Sequence, residues 1–62
     1  MPRIVLITGS AGRLGQAAVH ELVRLGWHVR GFDLAATTGA TESIVGDIAD
    51  ADAVRKAAQG AE

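Results

Sequence analysis

The stretch Thr8-Gly9-Ser10-Ala11-Gly12-Arg13-Leu14-Gly15 constrains this chain more than any other. It follows the apolar run Ile4-Val5-Leu6-Ile7 and opens a segment of helical periodicity that ends near Leu25. Strand, glycine turn and helix, in that order, are the context a dinucleotide-binding loop requires. Each glycine has a physical task. Gly9 lets the chain turn sharply out of the strand. Gly12 has no Cβ, so the backbone can approach a pyrophosphate, and Gly15 lets the helix pack closely on the strand. The helix N-terminus then offers unpaired N–H groups and the positive end of its dipole to the anion. A Walker-type phosphate loop needs G-x-x-x-x-G-K-[ST], and no Lys-Ser or Lys-Thr pair follows these glycines. A glycine-rich turn without a ligand is the competing explanation.

Thr-Gly-x-x-Gly-x-x-Gly directly after a first strand resembles the extended short-chain dehydrogenase/reductase family, the NAD-dependent epimerases and dehydratases. Another branch of that superfamily spaces its glycines T-G-x-x-x-G-x-G, which requires glycine where this chain has Arg13. The resemblance implies an α/β fold, a Rossmann-type parallel sheet, here as a partial β-α-β-β-α unit. It also implies that Gly9, Ser10, Ala11, Gly12, Arg13, Leu14 and Gly15 form the cofactor-binding loop.

The rest of the chain fits that unit. Four consecutive aliphatics predict a strand over residues 3–8, covered on both faces as in a parallel sheet. A helix is predicted over 13–25, with Leu14, Ala18, Leu22 and Leu25 on one face beside Gly15 and Val19. Arg13, Gln16, His20 and Arg24 fall on the other face, and Gly26 stands where a C′ glycine belongs. A second strand is predicted over 27–33, with Gly31 marking a close backbone approach and Trp27 packing under the helix. Residues 34–41 read as loop, 43–45 as a short third strand, and 51–59 as a helix capped by Asp50. Val54, Ala57, Ala58 and Ala61 form that helix's apolar side. The connection before strand three is shorter than most parallel crossovers, but an extended loop has the reach.

Three further residues join the glycine loop as cofactor candidates. Asp33 ends the second strand, 33 − 9 = 24 residues after the first glycine, near the acidic position expected about 20 residues on. A carboxylate there accepts hydrogen bonds from both adenosine ribose hydroxyls and repels a 2′-phosphate, which favours NAD over NADP. Arg13 pulls the other way, because a basic loop residue can hold a phosphate. Gly46-Asp47-Ile48 resembles the family's G-D-[IVL] segment. The resemblance implies that the Asp47 side chain bonds the adenine amino group and that the Ile48 N–H bonds the ring. Structural roles stand beside these: a strand-end Asp starting a turn, and an Asp leading into a helix.

Composition narrows the partners. A net charge of −1 gives no electrostatic case for nucleic acid or membrane. The chain has no Cys, and its two His are eight apart, off the spacing of a helical metal pair, so no metal site is predicted. The absence of Cys fits a reducing, cytoplasmic compartment. At 62 residues the chain is short for a domain, and it reads as the N-terminal part, 1–62, of an NAD(P)-binding domain. The family's chemistry uses a Tyr-x-x-x-Lys pair. There is no Tyr here, and the only Lys is Lys56, on the second helix, so no catalytic residue is assigned.

The expected function is binding of the ADP half of NAD for a parent epimerase, dehydratase or sugar dehydrogenase. In that parent, hydride passes to or from a sugar-like substrate, and the catalytic groups lie downstream. Two alternatives stay open: a non-enzymatic NAD(P)-binding sensor, and a ligand-free fragment that self-associates. Self-association is expected on either account, since strand one is apolar and built for a central position.

Overall fold

The computed structural model describes residues 3–61; Met1, Pro2 and Glu62 lie outside the described residues. Five elements follow in the order β1 (Ile4–Thr8), α1 (Arg13–Arg24), β2 (His28–Asp33), β3 (Glu42–Val45) and α2 (Ala51–Ala57). All five predicted elements are present, with ends shifted by one or two residues, the usual latitude at frayed termini. The strands form one sheet in the order β1-β2-β3, with both pairings parallel. Val5 pairs with Val29, Thr8 with Phe32, and Phe32 in turn with Ile44. Residues 34–41 therefore carry the chain back to a parallel strand without a helix.

Alternation along β2 divides the core between two faces. Val29 is completely buried on the face shared with Gly31, and Val19 of α1 is likewise fully buried. Phe32 points the other way and is buried with Ala57 of α2. A Cβ on Gly46 would stand 2.8 Å from the Phe32 ring, so glycine at that position lets the chain close over the aromatic.

The α2 face also carries charge. Arg30 donates to the carbonyls of Ala57 and Gln59, at 2.6 and 2.7 Å, and so ties the C-terminal end of α2 to the sheet. Its Nε lies 3.4 Å from Glu42 Oε2, an ion-pair distance without hydrogen-bond geometry. Glu42 also accepts from His28 Nε2. The His28 hydrogen bond first, and the Arg30 charge after it, hold the Glu42 carboxyl below its ordinary range.

Three expectations need correction. Ala58, expected on the apolar side of α2, is exposed. Leu14, Ala18 and Leu25 do not face the sheet: all three are exposed, Leu14 at 87%. The inward stripe of α1 is Gly15, Val19 and Leu22, with Gln16 half-buried beside it. The contact at Gly15 sets this rotation, because a Cβ there would lie 2.2 Å from the Gly9 carbonyl oxygen. Nor is β1 fully covered. Ile4 to Ile7 are half-buried, since α2 lies against β2. Trp27 is half-buried, and the Arg3 guanidinium sits 5.1 Å from its ring centroid, a cation–π distance.

Candidate functional site

The chain direction of a parallel sheet gathers the candidate residues at one end. Beyond the last paired residues, the Gly9 N–H donates to the Phe32 carbonyl and the Gly46 N–H to the Asp33 carbonyl, both at 2.9 Å. The glycine loop, Asp33 and the Asp47-Ile48 segment thus leave the carboxyl ends of three adjacent strands. That edge is where open α/β sheets bind ligands.

The turn out of β1 uses a conformation that disfavours side chains. Gly9 has φ +68°, in the left-handed region, and its carbonyl accepts from the Gly12 N–H at 3.2 Å. Gly12 is extended, with φ −76°, and serves as N-cap of α1. It offers no side-chain oxygen, and the first turn of α1 holds no acidic residue. The amides of Arg13, Leu14 and Gly15 precede the first intrahelical bond, from Gln16 N–H to the Gly12 carbonyl. α2 begins differently: the Asp50 carboxylate accepts from the amides of Asp52 and Ala53. One helix in this chain carries its own anionic cap, and the helix behind the glycine loop does not.

Asp33 reaches the loop directly. Its Oδ2 accepts from the Ala11 N–H at 2.9 Å and its Oδ1 from the Leu34 N–H at 2.6 Å. The Ala11 amide first, then those of Leu34 and Ala35, hold the Asp33 carboxyl below its ordinary range, against partial desolvation. It therefore remains an anionic acceptor at neutral pH. Asp47 Oδ1 accepts from the Ala49 N–H at 2.9 Å, and the Asp47 carbonyl accepts from Asp50 N–H, closing a tight turn before α2. Asp47 and Ile48 are both exposed, Ile48 at 65%. Leu14, Leu34, Val45 and Ile48 are exposed apolar side chains.

Not every loop candidate presents its side chain outward. Ser10 is completely buried, and its Oγ is hydrogen-bonded to Thr37 Oγ1. Gly12, Arg13 and Leu14 are exposed, while Ala11 and Gly15 are half-buried. Ser10 thus has an internal role, and the loop's outer surface is made by its neighbours.

Two residues here escaped sequence reasoning. Gln16 donates from Nε2 to the carbonyls of Ser10, at 3.3 Å, and Thr38, at 3.1 Å. Thr37 is 6% exposed and receives the Ser10 hydroxyl contact. The one signal was Gly31: a Cβ there would lie 2.7 Å from both Ser10 Oγ and Thr37 Oγ1. The close backbone approach expected at Gly31 is instead an approach of these two side chains.

Comparison with known proteins gives one family: the model of the NAD dependent epimerase/dehydratase family matches residues 5–62. No curated protein and no solved structure matches the chain.

Proposed function

The chain belongs to the NAD dependent epimerase/dehydratase family, and on that premise we propose that it binds the ADP half of NAD. The observation that carries this reading is the hydrogen bond from Ala11 N–H to Asp33 Oδ2, which joins the glycine loop to the strand-end carboxylate. In this reading the amides of Arg13, Leu14 and Gly15, together with the α1 dipole, hold the pyrophosphate. Gly9 shapes the turn, and Gly12 leaves the approach open. The lone pairs left on Asp33 accept from the ribose hydroxyls, and Asp47 and the Ile48 amide take the adenine edge.

NAD is preferred to NADP because the anionic Asp33 repels a 2′-phosphate. The exposed Arg13 is the one basic side chain of the loop that opposes this preference. When bound, NAD supplies a hydride acceptor or donor. No Tyr occurs in the 62 residues, so the Tyr-Lys acid/base pair of the family is not among them. We therefore assign to this chain binding without turnover. Hydride exchange with a sugar-like substrate belongs, in this proposal, to a longer cytoplasmic parent in which residues 1–62 begin the dinucleotide domain.

Calorimetric titration with NAD and NADP tests the reading. Saturable binding with NAD the tighter ligand supports it. Binding of neither dinucleotide to the folded chain would overturn it.

A further inference from the structure

We propose that Thr37 is a positioning residue for the phosphate-binding loop, acting through Ser10; the proposal rests on the NAD-binding reading above. Thr37 and Ser10 are the two buried polar residues among the described residues, and their hydroxyls bond each other across 27 positions of sequence. Thr37 is itself anchored, since its N–H donates to Ser43 Oγ of β3 at 2.8 Å. A line of hydrogen bonds therefore runs from β3 through Thr37 to the residue after Gly9. Gln16 adds a parallel tie by donating to both the Ser10 and Thr38 carbonyls. Gly31 lies against this contact: a Cβ there would stand 2.7 Å from both hydroxyl oxygens.

The loop is thus held at Ser10 from its inner side, and at Ala11 N–H by Asp33 from the sheet end. A loop ordered before the ligand arrives does not lose that conformational entropy on binding. The benefit falls on the ligand group that the loop cradles, the pyrophosphate. Adenosine, read by Asp33 and Asp47, gains much less. Thr37→Val keeps the side-chain shape and removes the hydroxyl, leaving the Ser10 hydroxyl buried without its partner. Thr37→Ser keeps the hydroxyl.

The test is NMR titration of the full chain with NAD and, separately, with adenosine. In Thr37→Val the NAD Kd is expected to rise about tenfold, which is 1.4 kcal/mol, while the adenosine Kd stays within about twofold. Thr37→Ser is expected to bind NAD as the parent chain does. Three results overturn the proposal: Thr37→Val binding NAD normally, Thr37→Val losing both ligands equally, or Thr37→Ser losing NAD as Thr37→Val does. Should Thr37→Val fail to fold, Ser10→Ala breaks the same contact from the loop side, and normal NAD binding by that variant overturns the proposal as well. If the unaltered chain binds no NAD, the NAD-binding reading falls and this one with it; if it binds NAD and the variants do too, only this one falls.

Discussion

The Ala11 amide and the Asp33 carboxylate, 22 residues apart in sequence, meet in a 2.9 Å hydrogen bond. One carboxylate thereby ties the glycine loop to the end of β2, the position at which the proposed reading puts ribose recognition. Removing it is expected to disturb two things together, loop order and ribose recognition.

Asp33→Ala is accordingly predicted to weaken NAD binding and to narrow the NAD/NADP preference. The loss of the charge-assisted hydrogen bonds expected from the ribose sets the direction of the change. Calorimetric titration of both dinucleotides against both chains measures it. An unchanged NAD/NADP ratio in the variant would remove Asp33 from the site.

The second and third glycines of the G-x-x-G-x-x-G pattern, Gly12 and Gly15, should separate binding from folding. The nearest atom to a Cβ on Gly12 is the Gly9 carbonyl oxygen at 3.4 Å, so Gly12→Val is predicted to fold and to lose NAD binding. A Cβ on Gly15 would meet the Gly9 and Ser10 backbone at 2.2 to 2.9 Å. Gly15→Ala is predicted to cost about 1–3 kcal/mol of stability through overpacking. Urea denaturation and NAD titration of each variant give the two readouts, and a stable Gly15→Ala chain would contradict the packing assigned to α1.

Acid should unfold the chain from two places. Asp33 and Glu42 both have folded-state pKa values below the ordinary carboxylate range. A depressed carboxylate contributes stability that is complete above its unfolded pKa, about 4, and lost as pH falls through the lower folded value. Thermal melting is expected to be flat in this respect between about pH 5 and 7 and to drop below about pH 4. Glu42→Gln should shallow that drop. A variant with the full parental acid slope would show that the His28–Glu42–Arg30 cluster is not its source.

β1 is an edge of the sheet among the described residues, and no charge interrupts Ile4 to Ile7. An apolar edge with unpaired backbone groups is a template for another chain. Val23 and Leu25 expose further apolar surface, and a patch of a few hundred Å² is worth several kcal/mol at about 25 cal/mol per Å². The purified chain is expected to self-associate at micromolar concentration. Sedimentation equilibrium reporting a folded, strictly monomeric species would refute this.

The elements were legible because their signals are local. Consecutive aliphatics, glycines at the turn, Asp50 before a helix and Gly26 after one each act within a few residues. The rotation of α1 was not local. Leu14, Ala18 and Leu25 form an apolar face as convincing as Gly15, Val19 and Leu22, and the choice between them is made by the approach of Gly15 to Gly9. The loop's support was hidden for another reason. Ser10, Gln16 and Thr37 are polar, and polarity in a sequence argues for the surface unless the burying partner is known. The tie made by Arg30 has no local signal, because the carbonyls it holds belong to Ala57 and Gln59, far along the chain.

The bare start of α1 sets heat resistance against ligand affinity. Gly12 has φ −76° and ψ 173°, a conformation open to any residue, and its surroundings leave room for a side chain. Gly12→Asp would give α1 the kind of carboxylate that Asp50 gives α2. The gain is about 0.5 kcal/mol from cap and dipole together, or roughly 2–4 °C in Tm for a chain this small. In the proposed binding mode the same carboxylate would occupy the place of the pyrophosphate and repel it. A thermostability screen run without dinucleotide should therefore enrich Asp at position 12, and each clone it selects for that change should be a poorer binder than the parent.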